Sequence, residues 1–267
     1  MKSVFAVTIN FNTEKENAEN VTVLTSDENL GFTGGNNIGI NYALENGADY
    51  LLIINNDTFA DENLLTSLVS ALEEDEAVGL AVPKIYFAKG HEFHKERYAK
   101  DELGKVFWYA GGFTDWNNVT SVHRGVDEVD HGQYDKKEKV NFASGCCMFI
   151  KREVFKKVGI FDDKYFLYFE DADLDERIHN SGYSIIYAPK AILWHINAAS
   201  SGGSGNKLQD YFMARNRMLF GMRYAPFRTK IALFRESIRL FFSGRPMQKK
   251  GIKDFYLGKF GKGTYFS

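Results

Sequence analysis

Apolar blocks separated by polar turns organise the first third of the chain. Residues 4–9 are a short, mostly β-branched run, read as the first strand of a parallel sheet, and Val21-Thr22-Val23-Leu24 reads as a second. After a glycine- and asparagine-rich stretch at 29–37, Ile40, Ala43 and Leu44 recur at helical spacing and predict a helix over 38–46. Tyr50-Leu51-Leu52-Ile53-Ile54 is unbroken apolar sequence that ends in Asn55-Asn56-Asp57. Such a run, bounded by turn formers, predicts a strand buried on both faces. Leu64, Leu65, Leu68, Val69 and Leu72 predict an amphipathic helix over 61–76, and residues 78–82 predict a strand ended by Pro83. This alternation predicts an α/β fold, a mostly parallel, Rossmann-like sheet with helices on both faces.

The pattern then changes. Residues 84–139 form a polar insert rich in Tyr, His, Gly and charge, with one strand and turn at Trp108-Tyr109-Ala110-Gly111-Gly112-Phe113. Core-like sequence returns at 140–150, followed by a short helix over 151–158 that Gly159 closes. Tyr165-Phe166-Leu167-Tyr168-Phe169 leads directly into Glu170-Asp171-Ala172-Asp173-Leu174-Asp175, which opens a further helix. Residues 182–189 and 191–195 read as two strands, and Ser200-Ser201-Gly202-Gly203-Ser204-Gly205 as a flexible loop able to act as a lid. Everything after Lys207 reads as helical. The chain is thus expected to divide into an α/β domain at 1–206 and a helical segment at 207–267.

Charge sharpens that division. Residues 207–267 hold 14 Lys+Arg against 3 Asp+Glu, and the remaining residues hold 19 against 32, so a basic segment follows an acidic body although the whole chain carries only −2. An anionic partner such as a membrane surface is expected; nucleic acid is not, because no recognised nucleic-acid module accompanies the charge. Ile231, Phe234, Ile238 and Phe241 step by three and four between Lys230, Arg235 and Arg239. A helix of this kind either lies in the headgroup region of a membrane or docks on the core with its charges in solvent. The two cysteines, Cys146 and Cys147, are adjacent and make no disulfide framework. No secretory leader or bilayer-spanning run is read, which leads to the expectation of a cytoplasmic protein attached peripherally to the inner face of the plasma membrane.

Three stretches carry candidate chemistry. Asp57, at the carboxyl end of the buried strand, stands where open α/β sheets bind ligands, and a carboxylate there suits Mg²⁺ or Mn²⁺; taken alone, Asn-Asn-Asp reads rather as a turn in which Asp57 caps the helix starting near Asp61. The 29–37 stretch before a helix can present N–H groups to an anion or a ribose, or can simply turn the chain. Acids in the first turn of a helix complement its dipole, which accounts for Asp173 and Asp175. Glu170 and Asp171 follow aromatic residues directly, where desolvation raises a carboxyl pKa and suits a general base. His195, after an apolar run, reads by itself as a satisfied structural residue, and His91, His94, His123 and His131 as solvated surface histidines.

Taken in order, Thr8-Ile9-Asn10-Phe11-Asn12, the 29–39 stretch, Asn55-Asn56-Asp57, Ala143-Ser144-Gly145, Gly159-Ile160-Phe161-Asp162, the acids from Glu170 to Arg177, Trp194-His195 and Tyr211-Phe212-Met213-Ala214-Arg215-Asn216 resemble the family 2 glycosyltransferases of GT-A fold, rhamnosyltransferase-like branch. The resemblance implies an inverting transfer from a nucleoside-diphosphate sugar, dTDP- or UDP-linked, to a glycan or lipid-linked acceptor. It places Asp57, with Asn55 and His195, at a divalent metal, Asp171 as the base with Glu170 beside it, and Thr8, Asn10, Asn12, Asn29, Gly34, Asn37, Asn56 and Arg215 around the nucleotide. The chain departs from the family between Asn12 and Val21, where only eight residues stand in place of the usual second βα unit and its base-contacting turn. A nucleotide-sugar or lipid-head-group binding protein without catalysis is the alternative that this departure raises.

Overall fold

The computed structural model describes residues 2–10, 21–196 and 206–267. Its strands are Val4–Val7 (β1), Tyr50–Ile54 (β2), Thr58–Ala60 (β3), Val78–Phe87 (β4), Phe107–Tyr109 (β5), Gly112–Asp115 (β6), Thr120–His123 (β7), Glu138–Val140 (β8), Cys147–Lys151 (β9) and Ser184–His195 (β10). Its α-helices are Gly31–Glu45 (α1), Leu64–Glu73 (α2), Arg152–Val158 (α3), Glu170–Asn180 (α4), Lys207–Tyr224 (α5), Phe227–Ser243 (α6) and Pro246–Tyr256 (α7).

The central sheet runs in the order β1-β2-β9-β4-β10-β3. Strands β1, β2, β4 and β10 share one direction, and β9 lies antiparallel between β2 and β4. The apolar run of β2 is buried from Tyr50 to Ile53, as its composition requires of a strand with neighbours on both edges. Helix α1 packs on the end of β1 and the residues just after it through glycines: a Cβ at Gly39 would stand 2.5 Å from Val7 Cγ1, and one at Gly35 2.8 Å from Ile9 Cγ2. Among the described residues β6 and β7 form a separate hairpin inside the polar insert.

Several sequence expectations change here. Residues 21–24 form no strand; Val21, Val23 and Leu24 are exposed, and no described strand pairs with them. Strand β4 does not stop at Pro83 but runs on to Phe87. The proline is tolerated because pairing with β9 ends at Ala81 and the ladder to β10 is irregular between Ala188 and Ile192. For the same reason the two expected C-terminal strands are one strand, β10, interrupted by that irregularity. Helix α1 starts at Gly31, so the supposed glycine-rich loop is its first two turns. The lid read at 200–205 lies outside the described residues.

The basic segment folds as three helices, with α5 packed against α6 and α7. Met218, Leu219, Phe220, Leu233 and Ile252 are buried in the same hydrophobic cluster as the sheet.

Candidate active site

The turn after β2 is built by its own backbone. Thr58 Oγ1 donates to the Asn55 carbonyl at 2.7 Å, and the Asn55 N–H donates to the Cys146 carbonyl at 2.9 Å. Strand β3 then pairs antiparallel with the end of β10, setting His195 opposite Thr58, while the Ile196 N–H donates to the Asp57 carbonyl. This register brings His195 Nε2 to 3.2 Å from Asp57 Oδ1. The hydrogen bond from His195 holds the Asp57 carboxyl below its ordinary range, against the opposing effect of burial.

His195 is buried, with its ring edge-on to Trp108 at 4.6 Å, and its Nδ1 finds no hydrogen-bond partner among the described residues. It is therefore not the satisfied structural histidine that its sequence surroundings suggest. Trp108 in turn meets His123, whose pKa burial pushes down to about 4. His123 is thus packed against aromatics rather than solvated, whereas His91, His94 and His131 are exposed. The aromatic strand β5, paired to β4, carries Trp108 to this place.

A carboxylate and an imidazole nitrogen converging at 3.2 Å, part-exposed on the Asp57 side, are a donor set that fits a divalent ion completed by water and phosphate oxygens. No cluster of three or more His, Cys, Asp or Glu groups able to hold an ion occurs among the described residues, so a substrate would have to supply the remaining donors. The backbone N–H and carbonyl of Asn55 both serve the turn.

The second half of the site is the start of α4. The chain enters it through Phe166, Tyr168 and Phe169, all at φ between 66° and 71°, in the left-handed region that side chains disfavour. Such strain persists only where the surroundings over-determine it. Here the Asn216 side-chain amide donates to the carbonyls of Tyr165, Leu167 and Tyr168 at 2.8–2.9 Å, and Arg215 donates to those of Lys164 and Tyr165. Helix α5 therefore sets the geometry from which Glu170 and Asp171 emerge.

Asp171 Oδ2 accepts the Gly145 N–H at 3.1 Å, and its Oδ1 accepts the Ala172 N–H at 2.8 Å. Desolvation nevertheless raises the Asp171 pKa. Glu170 is 5% exposed, and its Oε2 has no hydrogen-bond partner among the described residues. Burial and the neighbouring Asp171 charge push the Glu170 pKa well up. One turn on, buried Asp175 accepts the Ala143 N–H at 2.7 Å. Residues 143–146 thus form the wall common to both halves: Gly145 anchors Asp171 and Cys146 anchors the Asn55 turn. A Cβ at Gly145 would stand 3.2 Å from Phe32 Cζ and 3.5 Å from Asp171 Cβ, so the approach is tight. Gly145, Trp108 and Asn216 are not among the expected site residues; Ala143-Ser144-Gly145 and the stretch ending in Asn216 signal the first and last, and nothing in the sequence signals Trp108.

Asp173 has a different task from Asp171. It is fully buried and receives Tyr165, Tyr224, Arg177 and Arg223 at 2.8–3.0 Å. Its four donors leave it no part in chemistry.

The expected nucleotide residues divide. Asn10 and Asn56 meet at the exposed rim, Asn56 Nδ2 donating to Asn10 Oδ1 at 2.9 Å, with Thr8 also exposed. Asn12 lies outside the described residues. Asn29 caps the turn into α1 by accepting the Gly31 N–H. Gly34 lies inside α1, where a Cβ would be 2.7 Å from Leu30 Cβ. Asn37 is buried and staples Phe161: its Nδ2 donates to the Phe161 carbonyl at 2.9 Å, and its Oδ1 accepts the Phe161 N–H at 3.1 Å. Arg215 is wholly buried, and its guanidinium donates to Asn216 and to the carbonyls of Lys164, Tyr165, Lys259 and Gly261. Those contacts correct the expectation that Arg215 approaches a diphosphate; burial places it in the frame that shapes α4.

With the geometry in place, comparison with known proteins gives the class. The sequence profile of the family described as "Glycosyltransferase like family 2" matches residues 6–221, and the chain belongs to that family. It is similar to N-acetylglucosaminyl-diphospho-decaprenol L-rhamnosyltransferase of Mycobacterium tuberculosis, 28% identical over 156 residues, 58% of this chain and 49% of that protein. It is also similar to the low-salt glycan biosynthesis hexosyltransferase Agl10 of Haloferax volcanii, 21% identical over 202 residues, 75% of this chain and 60% of that one. The chain thus spans about half to three fifths of the length of these relatives. Among solved structures, GalNAc-T7 with UDP, GalNAc and Mn²⁺ superimposes with a TM-score of 0.49 and 14% identity, covering 83% of this chain and 46% of that one.

Proposed function

We propose that the chain is an inverting glycosyltransferase. It moves a sugar, rhamnose or another hexose, from a dTDP- or UDP-linked donor to a hydroxyl of a glycan or lipid-linked acceptor in cell-envelope polysaccharide synthesis. Family membership supports glycosyl transfer, and rhamnose is put forward because one similar protein is a rhamnosyltransferase. The observation that carries the mechanism is the position of Asp171. It is held by the Gly145 N–H beside a buried Glu170, across residues 143–146 from the Asp57–His195 pair.

In this reading Asp171 accepts the acceptor hydroxyl proton, the oxygen attacks the anomeric carbon from the face opposite the diphosphate, and the carbon–oxygen bond to phosphate breaks. Burial and the adjacent Asp171 charge favour the neutral form of Glu170, which limits the negative charge gathered at the base. Asp57 and His195 would hold a divalent ion such as Mg²⁺ or Mn²⁺, whose charge would favour departure of the diphosphate. Asn10 and Asn56 lie at the rim where the nucleotide enters.

The test is a product assay with a panel of nucleotide sugars, with Mn²⁺, Mg²⁺ or a chelator present. Metal-dependent transfer from one donor is expected, and Asp57→Ala should lower it on the order of 10²–10³-fold. Nucleotide binding with no transfer to any acceptor would instead make this a binding protein.

A further inference from the structure

Helix α6 has two apolar faces, and only one is used by the fold. Leu233 and Ser237 are buried toward α5 and α7, where Leu233, Ser237 and Leu240 line a small cleft with Met218 and Ile252. The other face lies in solvent. Phe227, Ile231, Phe234, Ile238, Phe241 and Phe242 are 40–77% exposed. At 100° per residue these six fall within a stripe about 100° wide. Arg228, Arg235 and Arg239, all exposed, border one side of it, and Lys230 borders the other.

We infer that this stripe is a membrane-insertion face, and that its occupant is an anionic lipid surface. The sequence left two fates for an amphipathic basic helix: docking on the core or lying in headgroups. The structure separates them, because docking uses the narrow Leu233–Ser237 edge and leaves the phenylalanines out. Large exposed aliphatic and phenyl groups flanked by arginines match an interface in which rings sit at the acyl boundary and guanidinium groups meet phosphates. Charge complementarity selects the lipid: the whole 207–267 segment carries 14 Lys+Arg against 3 Asp+Glu. A face meant for a second copy of this acidic-bodied chain would bring the cationic borders against each other in an isologous pair. No helix among the described residues is long and apolar enough to cross a membrane, so the contact is interfacial. The inference adds to the proposed function a surface from which a lipid-linked acceptor would be reached, but its physical basis is independent of that function.

The experiment is co-sedimentation of the full chain with vesicles of phosphatidylcholine alone or with phosphatidylglycerol added. Binding is expected to the anionic vesicles and to fall as salt rises. The double variant Phe234→Glu/Phe241→Glu should lose at least tenfold of it, and Arg235→Gln about fivefold at low salt. Circular dichroism melts of the variants check that the fold is kept, since the substituted side chains already lie in solvent. Equal retention by both vesicle types, or undiminished binding of the double variant, would overturn the inference. So would a concentration-dependent dimer that Phe234→Glu abolishes, which would assign the face to a second copy. Transfer to a water-soluble acceptor, unchanged in these variants, separates the outcomes: vesicle binding without transfer contradicts the proposed function alone, and transfer without vesicle binding contradicts this inference alone.

Discussion

Asn55-Asn56-Asp57 and the 29–37 stretch are alike as sequence, each a group of small polar residues beside an apolar run. In the fold they differ. The first lies at a strand end, where the backbone is held by Thr58 and Cys146, and its Asn56 and Asp57 side chains reach Asn10 and His195. The second is wound into α1, where Asn37 is turned inward onto Phe161 and the glycines admit β1. A strand end projects side chains past the last ladder bond, so polar groups there remain available to a ligand. A helix that packs closely on a sheet buries what it carries, and a buried amide needs protein partners. The same contrast recurs two residues apart on α4, where Asp171 keeps one wall of the site and Asp173 is surrounded by four donors.

Substitutions can break or sharpen this contrast. Asp173→Asn should have the largest effect on the fold, because it leaves Arg177 and Arg223 without their buried charge partner. A loss of about 3 kcal/mol is expected in denaturant titration, and retention of full stability would show that the cluster is not structural. Asn37→Ala should cost about 2 kcal/mol through two lost bonds to buried Phe161 backbone groups. Thermal melting should register that loss while kcat of the remaining folded enzyme stays within about twofold of the parent. A smaller effect lies in the pH profile. Since desolvation raises the Asp171 pKa, its ionised form is lost as pH falls through a value above the ordinary carboxylate range of about 4. The acidic limb of kcat/KM should accordingly have its midpoint above that range, and a limb at or below it would remove Asp171 as the titrating base.

Much of this was legible in advance. Unbroken apolar runs identified β1, β2 and the body of β10, and the acids after Phe169 marked the start of α4. What local pattern could not supply was register and burial. The meeting of Asp57 with His195 depends on three residues of β3 pairing with the end of β10, and nothing in either stretch specifies the other. Arg215 is charged, which argues for exposure, yet carbonyls from residues distant in sequence satisfy its guanidinium in the interior. Pro83 predicts a strand end because a proline lacks a donor, and only the ladder irregularity beside it shows that none is needed there. The α6 periodicity was plain, but which of its faces the core would take was not.

The division of labour rests on Asp171, and its most direct test is turnover of a nucleotide-sugar donor by the Asp171→Asn chain beside the parent, with melting temperature followed in both. The account predicts that transfer falls by about 10² or more, while the melting temperature stays within a few degrees. Transfer within twofold of the parent, in a chain that melts normally, would contradict it.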